Sequence, residues 1–267
     1  MRRVLLATSE DGETFTRVGE PLLDQTNMPS AVRWHDAVLV YSTMYKLADD
    51  RDGTAVSARD DARGEWHHYA AVFEDVPVEG AHIVESYAVV LPDDRIRLYF
   101  GAVFDGVWGI HSAVSSDAFT FVYEGESVLA NGGFGDAGGY VDPLVAWGDG
   151  LWHIFVTDSS NATTVHGTSA DGLRFEFGET VTLEAGGKPQ YLTHWLRLGD
   201  GFRIFASNAD GTVGSLGTSD GETLEAEEGS RLEPEEGDLE SDWVGDAAVV
   251  STDDGGYLMV YVTEIPE

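Results

Sequence analysis

The chain has 267 residues, and with 42% apolar content it can bury the core of one domain. Its 48 acidic residues outnumber its 15 basic residues, giving a formal net charge of −33. Such a charge repels phosphate backbones and anionic lipid surfaces, which argues against nucleic-acid or membrane partners. There is no cysteine, so disulfide content does not indicate a redox compartment.

The acidic residues are spread along the whole sequence instead of forming one run. This distribution favours a solvated acidic surface, and we hypothesise a protein of a halophile that works in concentrated salt. Arg2 and Arg3 begin a stretch whose apolar run, Val4 to Ala7, is too short for a signal peptide or a membrane span. We therefore expect a cytoplasmic location, and nothing in the sequence indicates an oligomeric state.

The first repeated element is the phrase Ser/Thr-x-Asp-Gly-x-x-Phe/Leu, which follows an alternating apolar strand. In one copy Ala118 stands where the others have glycine, and another copy ends in Leu224 instead of phenylalanine. The copies begin at Ser9, Ser115, Ser169 and Thr218. A repeat at this period indicates a propeller, solenoid or array.

The second repeated element is a strand with an aromatic residue at its centre. These aromatics are separated by 58, 56, 50 and 56 residues, and a turn rich in Asp and Gly precedes most of them. They are Tyr41, Tyr99, Phe155, Phe205 and Tyr261. Each unit therefore opens with a hairpin.

Together the two elements predict an all-β fold, a five-bladed β-propeller of four-stranded antiparallel blades. The fifth unit lacks its outer half, and that half is present in residues 3–22. We expect these N-terminal strands to complete the last blade and close the ring, so that residues 1–267 form a single domain.

Aligning the units on their aromatic strands places one residue of each unit at the start of its innermost strand, near the propeller axis. Three of the five are carboxylic acids. The aligned residues are Met28, Glu85, Asp142, Thr193 and Asp246. The ordinary alternative is that an acid before a strand caps a turn, but three at one register favour a functional site at the mouth of the ring.

This pattern resembles the five-bladed propeller glycoside hydrolases, the superfamily of arabinanases, xylosidases, invertases and levansucrases. The resemblance implies three axial acids: a base or nucleophile, an Asp that tunes and orients, and a Glu that protonates the leaving group. Asp142, followed by Pro143, matches the tuning Asp, so that Glu85 is the candidate proton donor and Asp246 the remaining partner. The sequence resembles the sialidases less, because in their Asp boxes glycine does not directly follow the aspartate.

The first blade departs from that family. The resemblance implies an Asp before the proline, whereas this chain has Asn27, Met28 and Pro29. An asparagine cannot act as a base. Either the acids are redistributed as above, or hydrolysis has been lost, or the reaction differs.

Further candidate residues for binding a small saccharide lie in loops at the same predicted face. The chain's two lysines, Lys46 and Lys188, both fall there. The other candidates are Asn27, Tyr87, Trp108, Tyr140, His194 and Trp243. Aromatic rings suit the apolar faces of sugars, and Trp108 between two glycines is the strongest candidate for an exposed platform.

No histidine pair has the spacing of a zinc site, and we expect no cofactor. A structural calcium ion or a hydrated cation in the central channel stays open as an alternative. The loop from Asp158 to Asn161 lacks a full series of calcium ligands and is better explained as a turn.

Two functions remain at this stage. One is a glycoside hydrolase that acts on a short saccharide through Glu85, Asp142 and Asp246. The other is a carbohydrate-binding propeller without hydrolytic activity, which Asn27 and Met28 at the start of the first blade favour. The remaining axial acids and the two lysines favour the hydrolase, and we predict that function.

The charge gives a first prediction. We expect the melting temperature to rise from dilute buffer to about 1 M KCl, where a screening length of about 3 Å removes most of the self-repulsion. Differential scanning calorimetry across a KCl series measures it. An unchanged or lower melting temperature in salt would contradict the hypothesis of a salt-adapted surface.

Overall fold

The structure is a computed structural model, which describes residues 1–48, 51–60, 64–125, 128–130, 139–159, 163–185, 188–235 and 237–266. All regular structure in these ranges is β-strand or turn, as predicted. Within them, no helix has the length and apolar character needed to cross a membrane.

Three sheets are simple four-stranded blades with antiparallel neighbours. Blade one contains β3 (Thr26–Trp34), β4 (Ala37–Ala48), β5 (Arg51–Asp60) and β6 (Trp66–Ala70). Blade three contains β13 (Tyr140–Gly148), β14 (Leu151–Asp158), β15 (Thr163–Ser169) and β16 (Glu176–Val181). Blade five contains β22 (Val244–Ser251), β23 (Tyr257–Glu264), β1 (Arg2–Ser9) and β2 (Thr16–Asp24).

Blades two and four have the same four strands and short additions. Blade two contains β8 (Ile83–Val90), β9 (Ile96–Phe104), β10 (Val107–Ser115) and β11 (Thr120–Tyr123), with β7 (Val72–Glu74) and β12 (Leu129–Ala130) added. Blade four contains β18 (Lys188–Leu198), β19 (Gly201–Asn208), β20 (Val213–Thr218) and β21 (Glu225–Ala226), with β17 (Glu184–Ala185) added. The sequence did not predict β7, which joins the outer edge of blade two in parallel with β11.

The N-terminal strand closes the ring. β1 pairs with β23 over its whole length, from Arg2 opposite Glu264 to Ser9 opposite Tyr257. The N-terminal residues therefore supply the outer two strands of the last blade, as the repeat pattern predicted.

The repeated Ser-x-Asp-Gly phrase forms a tight turn between the third and fourth strands. In the first copy the hydroxyl of Ser9 accepts the backbone N–H of Gly12, and the carboxylate of Asp11 accepts the N–H groups of Glu13 and Thr14. The same bonds recur in the other three copies. Each turn is thus fixed by its own side chains.

In three interfaces these turns also join a blade to the preceding one. The Phe121 ring of blade two packs edge-on against Tyr41 of blade one, at 5.8 Å between ring centroids. The Tyr41 hydroxyl donates to the carbonyl of Ala118 in the same turn. Phe175 and Phe15 pack in the same way on Tyr99 and Phe205. The two repeated elements of the sequence therefore contact each other across the blade interfaces.

The joint between blades two and three gives a second prediction. The buried hydroxyl of Tyr99 donates to the carbonyl of Gly172 at 2.6 Å, so Tyr99→Phe leaves that carbonyl without its partner. We expect the free energy of unfolding to fall by about 1–2 kcal/mol in urea titrations. The exposed Tyr69, substituted by Phe, serves as the control. Equal effects of the two substitutions would contradict the role of this bond.

Candidate functional site

The innermost strand of every blade is interrupted at the position aligned in the sequence. The register with the second strand shifts around Met28, Glu85, Asp142, Thr193 and Asp246. Four of these residues have positive φ, with 50° at Met28, 56° at Glu85, 53° at Asp142 and 46° at Asp246. Non-glycine residues seldom adopt this conformation, and strained bulges of this kind concentrate at functional sites.

The bulges surround a small cavity on the axis. Its volume is about 50 Å³, and its walls include Glu85, Asp142, Asp246 and Met28, with Thr193 from blade four. The structure therefore brings the three predicted acids together. A cavity of this size holds a few water molecules and lies well below the ~300 Å³ of the smallest ordinary ligand pockets.

Side chains of the second strands hold two of the axial residues. The backbone N–H of Glu85 donates to the Thr43 hydroxyl at 2.8 Å, from blade two to blade one. The backbone N–H of Asp246 donates to the Ser207 hydroxyl at 2.7 Å, from blade five to blade four. Both hydroxyls stand two residues after the aromatic centre of their strand, so the repeat itself fixes the axial bulges.

In blade two, Gly101 occupies the position of that hydroxyl. The Glu85 carboxylate takes its place and accepts the backbone N–H of Asp142 at 3.2 Å. Glu85 is thus directed towards the blade that carries the second acid.

Burial dominates the electrostatics of these two acids. Burial raises the pKa of Glu85 to about 7, and the N–H bond from Asp142 opposes this rise. Burial, with the nearby charges of Glu85 and Asp246, raises the pKa of Asp142 well above its usual range. Two carboxyl groups this close cannot both ionise readily, so at neutral pH the pair carries at least part of a proton.

Asp246 has a cationic neighbour. Burial raises its pKa, but the guanidinium of Arg2 and the hydroxyl of Ser207 oppose the rise. Arg2 lies 3.7 Å from the Asp246 carboxylate, and its guanidinium stacks over the Trp243 ring at 4.9 Å from the centroid. Asp246 is therefore the acid of the three best placed to be ionised.

Among the described residues of the first blade, none contributes a carboxylate to the lining of the cavity. Met28 is at the bulge, and the neighbouring Asn27 is buried, its amide oxygen accepting a bond from Arg2 at 3.1 Å. Asn27 thus lies beside the site but serves to hold Arg2.

Several predicted binding residues lie at the end of the ring where the bulges open. Lys46 is exposed at the end of β4, and its backbone N–H bonds to Asp52. Trp243 and Tyr140 are partly exposed just before and at the start of their inner strands. Lys188 begins β18, but its side chain is outside the described part of the structure.

Tyr87 and His194 were predicted to contact the saccharide, and the structure places them in the interior. The Tyr87 hydroxyl lies 3.3 Å from Nδ1 of His194 and accepts the backbone N–H of Trp195. Burial lowers the pKa of His194 to about 4, so the ring is neutral over the physiological range. His194 thus supports the inner strands, while Tyr87 also lines the axial cavity.

The prediction that Trp108 is an exposed aromatic platform is wrong. Its side chain is only 3% exposed, because the ring packs against Gly101, where no side chain blocks it. Its indole N–H donates to the carbonyl of Tyr140 at 2.8 Å.

Sequence reasoning missed the contributions of Arg2, Gly101 and Ser207. Ser207 and Gly101 carried a signal, since both stand two residues after a repeated aromatic. Arg2 carried none, because its role depends on ring closure. Among the residues that the structure describes, no group of three His, Cys, Asp or Glu side chains is arranged to hold a metal ion.

Comparison with solved structures shows which known proteins share this architecture. A GH43_1 enzyme from Xanthomonas citri complexed with xylotriose aligns with a TM-score of 0.68 at 14% identity, over 91% of this chain and 84% of that one. An α-L-arabinofuranosidase from Clostridium thermocellum aligns with a TM-score of 0.65 at 17% identity, over 87% and 80%. The catalytic domain of a GH62 α-L-arabinofuranosidase from Coprinopsis cinerea aligns with a TM-score of 0.62 at 10% identity, over 97% of both chains.

The chain has the fold of the five-bladed propeller glycoside hydrolases. No protein-family model matches its sequence, and no curated protein matches it either. The shared architecture covers nearly the whole chain, and identities this low show the fold alone.

The raised pKa of Glu85 gives a third prediction. A carboxyl whose pKa is higher in the folded than in the unfolded protein costs stability as pH rises from its ordinary value of 4.5 through about 7. We therefore expect Glu85→Gln to gain stability relative to the wild type over this range, by an amount on the order of 2–3 kcal/mol.

Urea denaturation of both proteins at a series of pH values measures the difference. Glu79→Gln, at an exposed position, is the matched control and should show no such trend. A constant difference between Glu85→Gln and the wild type across the series would show that Glu85 titrates normally.

Proposed function

We propose that this protein is a glycoside hydrolase that cleaves a short saccharide at the axial mouth of the propeller. The observation that carries the proposal is the set of three carboxyl groups on bulged inner strands around one cavity. Glycosidic cleavage needs one protonated and one ionised carboxyl near the same bond. The solved structures that share the fold support this choice of reaction.

Glu85 is the proton donor in this proposal. Its pKa of about 7 leaves much of it protonated near neutral pH, as a general acid requires. Its carboxyl accepts the backbone N–H of Asp142 through Oε2, which fixes its direction. The proton passes from Glu85 to the glycosidic oxygen as the bond to the anomeric carbon breaks, and either a water molecule deprotonated by Asp246 or the Asp246 carboxylate itself bonds to that carbon.

Asp246 is the ionised partner, acting as base or nucleophile. Arg2 stabilises its negative charge, while the Ser207 hydroxyl and the bulge hold the carboxylate in place. Asp142 interacts with both of these acids, because the charges of Glu85 and Asp246 raise its pKa. A protonated Asp142 would limit repulsion between its neighbours and orient the substrate by hydrogen bonding.

The substrate class follows from charge and size. The axial cavity of about 50 Å³ is too small for a sugar ring, so the ring would lie above the carboxyl groups, towards Trp243 and Lys46. A chain of net charge −33 favours a neutral sugar over an acidic one. Pentose saccharides are the first substrates to test, since the similar structures include a xylotriose complex and arabinofuranosidases.

A second candidate function is carbohydrate binding without hydrolysis. The specific observation in its favour is Met28, which brings a thioether to a bulge where the first blade of the family has an aspartate. In that case the remaining acids would serve as hydrogen-bonding groups for a bound sugar.

The fourth prediction separates the two functions. The protein is incubated with aryl xylosides, aryl arabinofuranosides, other aryl glycosides and short oligosaccharides in concentrated KCl. We expect hydrolysis of at least one substrate, with kcat falling by about 100-fold or more in Glu85→Gln and in Asp246→Asn, because proton transfer and charge stabilisation are lost.

Glu79→Gln is the control and should retain full activity. Circular dichroism confirms that each variant is folded. Binding of a sugar by calorimetry without turnover of any substrate would favour the binding propeller. Turnover that is indifferent to both axial substitutions would contradict the assigned acids.

A further inference from the structure

Gly101 is a point of close approach in the site. It lies in β9 opposite Val84, beside the Glu85 bulge. A Cβ atom on it would stand 2.4 Å from Cη2 and 2.5 Å from Cζ2 of Trp108, and 3.2 Å from Oε2 of Glu85. The backbone there is not in the left-handed region, so the need for glycine arises from space and not from φ.

The Trp108 ring and Oε2 of Glu85 therefore both lie next to the position that a side chain on Gly101 would occupy. Trp108 lies in β10, the strand next to β9, and its ring fills the space left by the missing side chain. Trp108 is only 3% exposed, so its ring closes this side of the space from solvent.

Both side chains also reach blade three at neighbouring points. The indole N–H of Trp108 donates to the carbonyl of Tyr140 at 2.8 Å, and Oε2 of Glu85 accepts the N–H of Asp142 at 3.2 Å. Two parallel bonds thus connect blade two to the segment that carries the second acid. Movement of Trp108 would release one bond directly and loosen the other.

We propose that Trp108, seated on Gly101, is the positioning residue of the Glu85–Asp142 pair: its ring excludes water from the Glu85 carboxyl, and its N–H fixes the strand that carries Asp142. The catalytic meaning of this role depends on the function proposed above, whereas the physical role does not. A carboxyl against an indole ring loses hydration of its charged form. This agrees with burial being the largest cause of the raised pKa of Glu85.

The test is a pH titration of the Glu85 carboxyl by NMR in protein labelled with ¹³C at the glutamate side-chain carboxyl, with the signal assigned by its absence in Glu85→Gln. Trp108→Phe removes the N–H and the ring atoms that contact Gly101. Gly101→Ala keeps Trp108, but its methyl group would stand 2.4 Å from the ring and 3.2 Å from Oε2 of Glu85, so it forces the ring away from its place beside the carboxyl. The matched controls are the similarly buried Trp152, changed to Phe, and Gly178, where an added Cβ meets only an ordinary contact at 3.8 Å.

We expect the titration midpoint of the Glu85 carboxyl to lie near pH 7 in the wild type. It should fall by about 1 pH unit in both Trp108→Phe and Gly101→Ala and stay unchanged in the controls. An unchanged midpoint in either folded site variant would overturn the proposal, as would a wild-type midpoint near the ordinary value of 4.5. The titration needs no substrate, so its result is independent of whether any sugar is hydrolysed. If turnover is found, the alkaline limb of the pH profile of kcat should move with the midpoint in the same variants.

Discussion

The contact between each motif turn and the second strand of the preceding blade is the interaction on which the rest of the structure depends. In three interfaces an aromatic ring from the turn packs on an aromatic ring of the strand, and in two of these a tyrosine hydroxyl also bonds to the turn carbonyl. These contacts hold neighbouring blades together. Because the three acids lie on the innermost strands of those blades, the same packing keeps their carboxyl groups around one cavity.

Bringing the three carboxyl groups together costs electrostatic free energy. The fold keeps them close despite this cost. Glu85 and Asp142 are both partly buried and are joined by the bond from the Asp142 N–H to the Glu85 carboxyl, while the guanidinium of Arg2 lies near Asp246 and also opposes the rise in the pKa of Asp142. Hydrogen bonds from one blade to the next hold the backbone of each acid. These bonds stabilise the strained positive-φ conformation against the repulsion between the carboxyl groups. A protein can retain such an arrangement when the separated pKa values serve a proton transfer.

The sequence was sufficient to predict the five blades, ring closure by residues 3–22 and the shared register of the three acids. All of these follow from the repeat, because the motif residues within each strand show where that strand lies in its blade. It was insufficient for Trp108, whose flanking glycines suggested an exposed loop although the residue packs on Gly101 from the neighbouring strand. It was also insufficient for Arg2, since a residue at the start of the chain meets Asp246 and Asn27 only after the ring has closed.

We assign the axial carboxyl groups as an acid and base pair for glycosidic cleavage. The most direct test is the pH profile of kcat/KM on the best aryl glycoside, measured across the range in which Glu85 titrates. Because the donor must be protonated, the account predicts that kcat/KM falls as pH rises through about 7, the pKa of Glu85. A profile that is flat through this range, or that rises through it, would contradict the assignment of Glu85 as the proton donor.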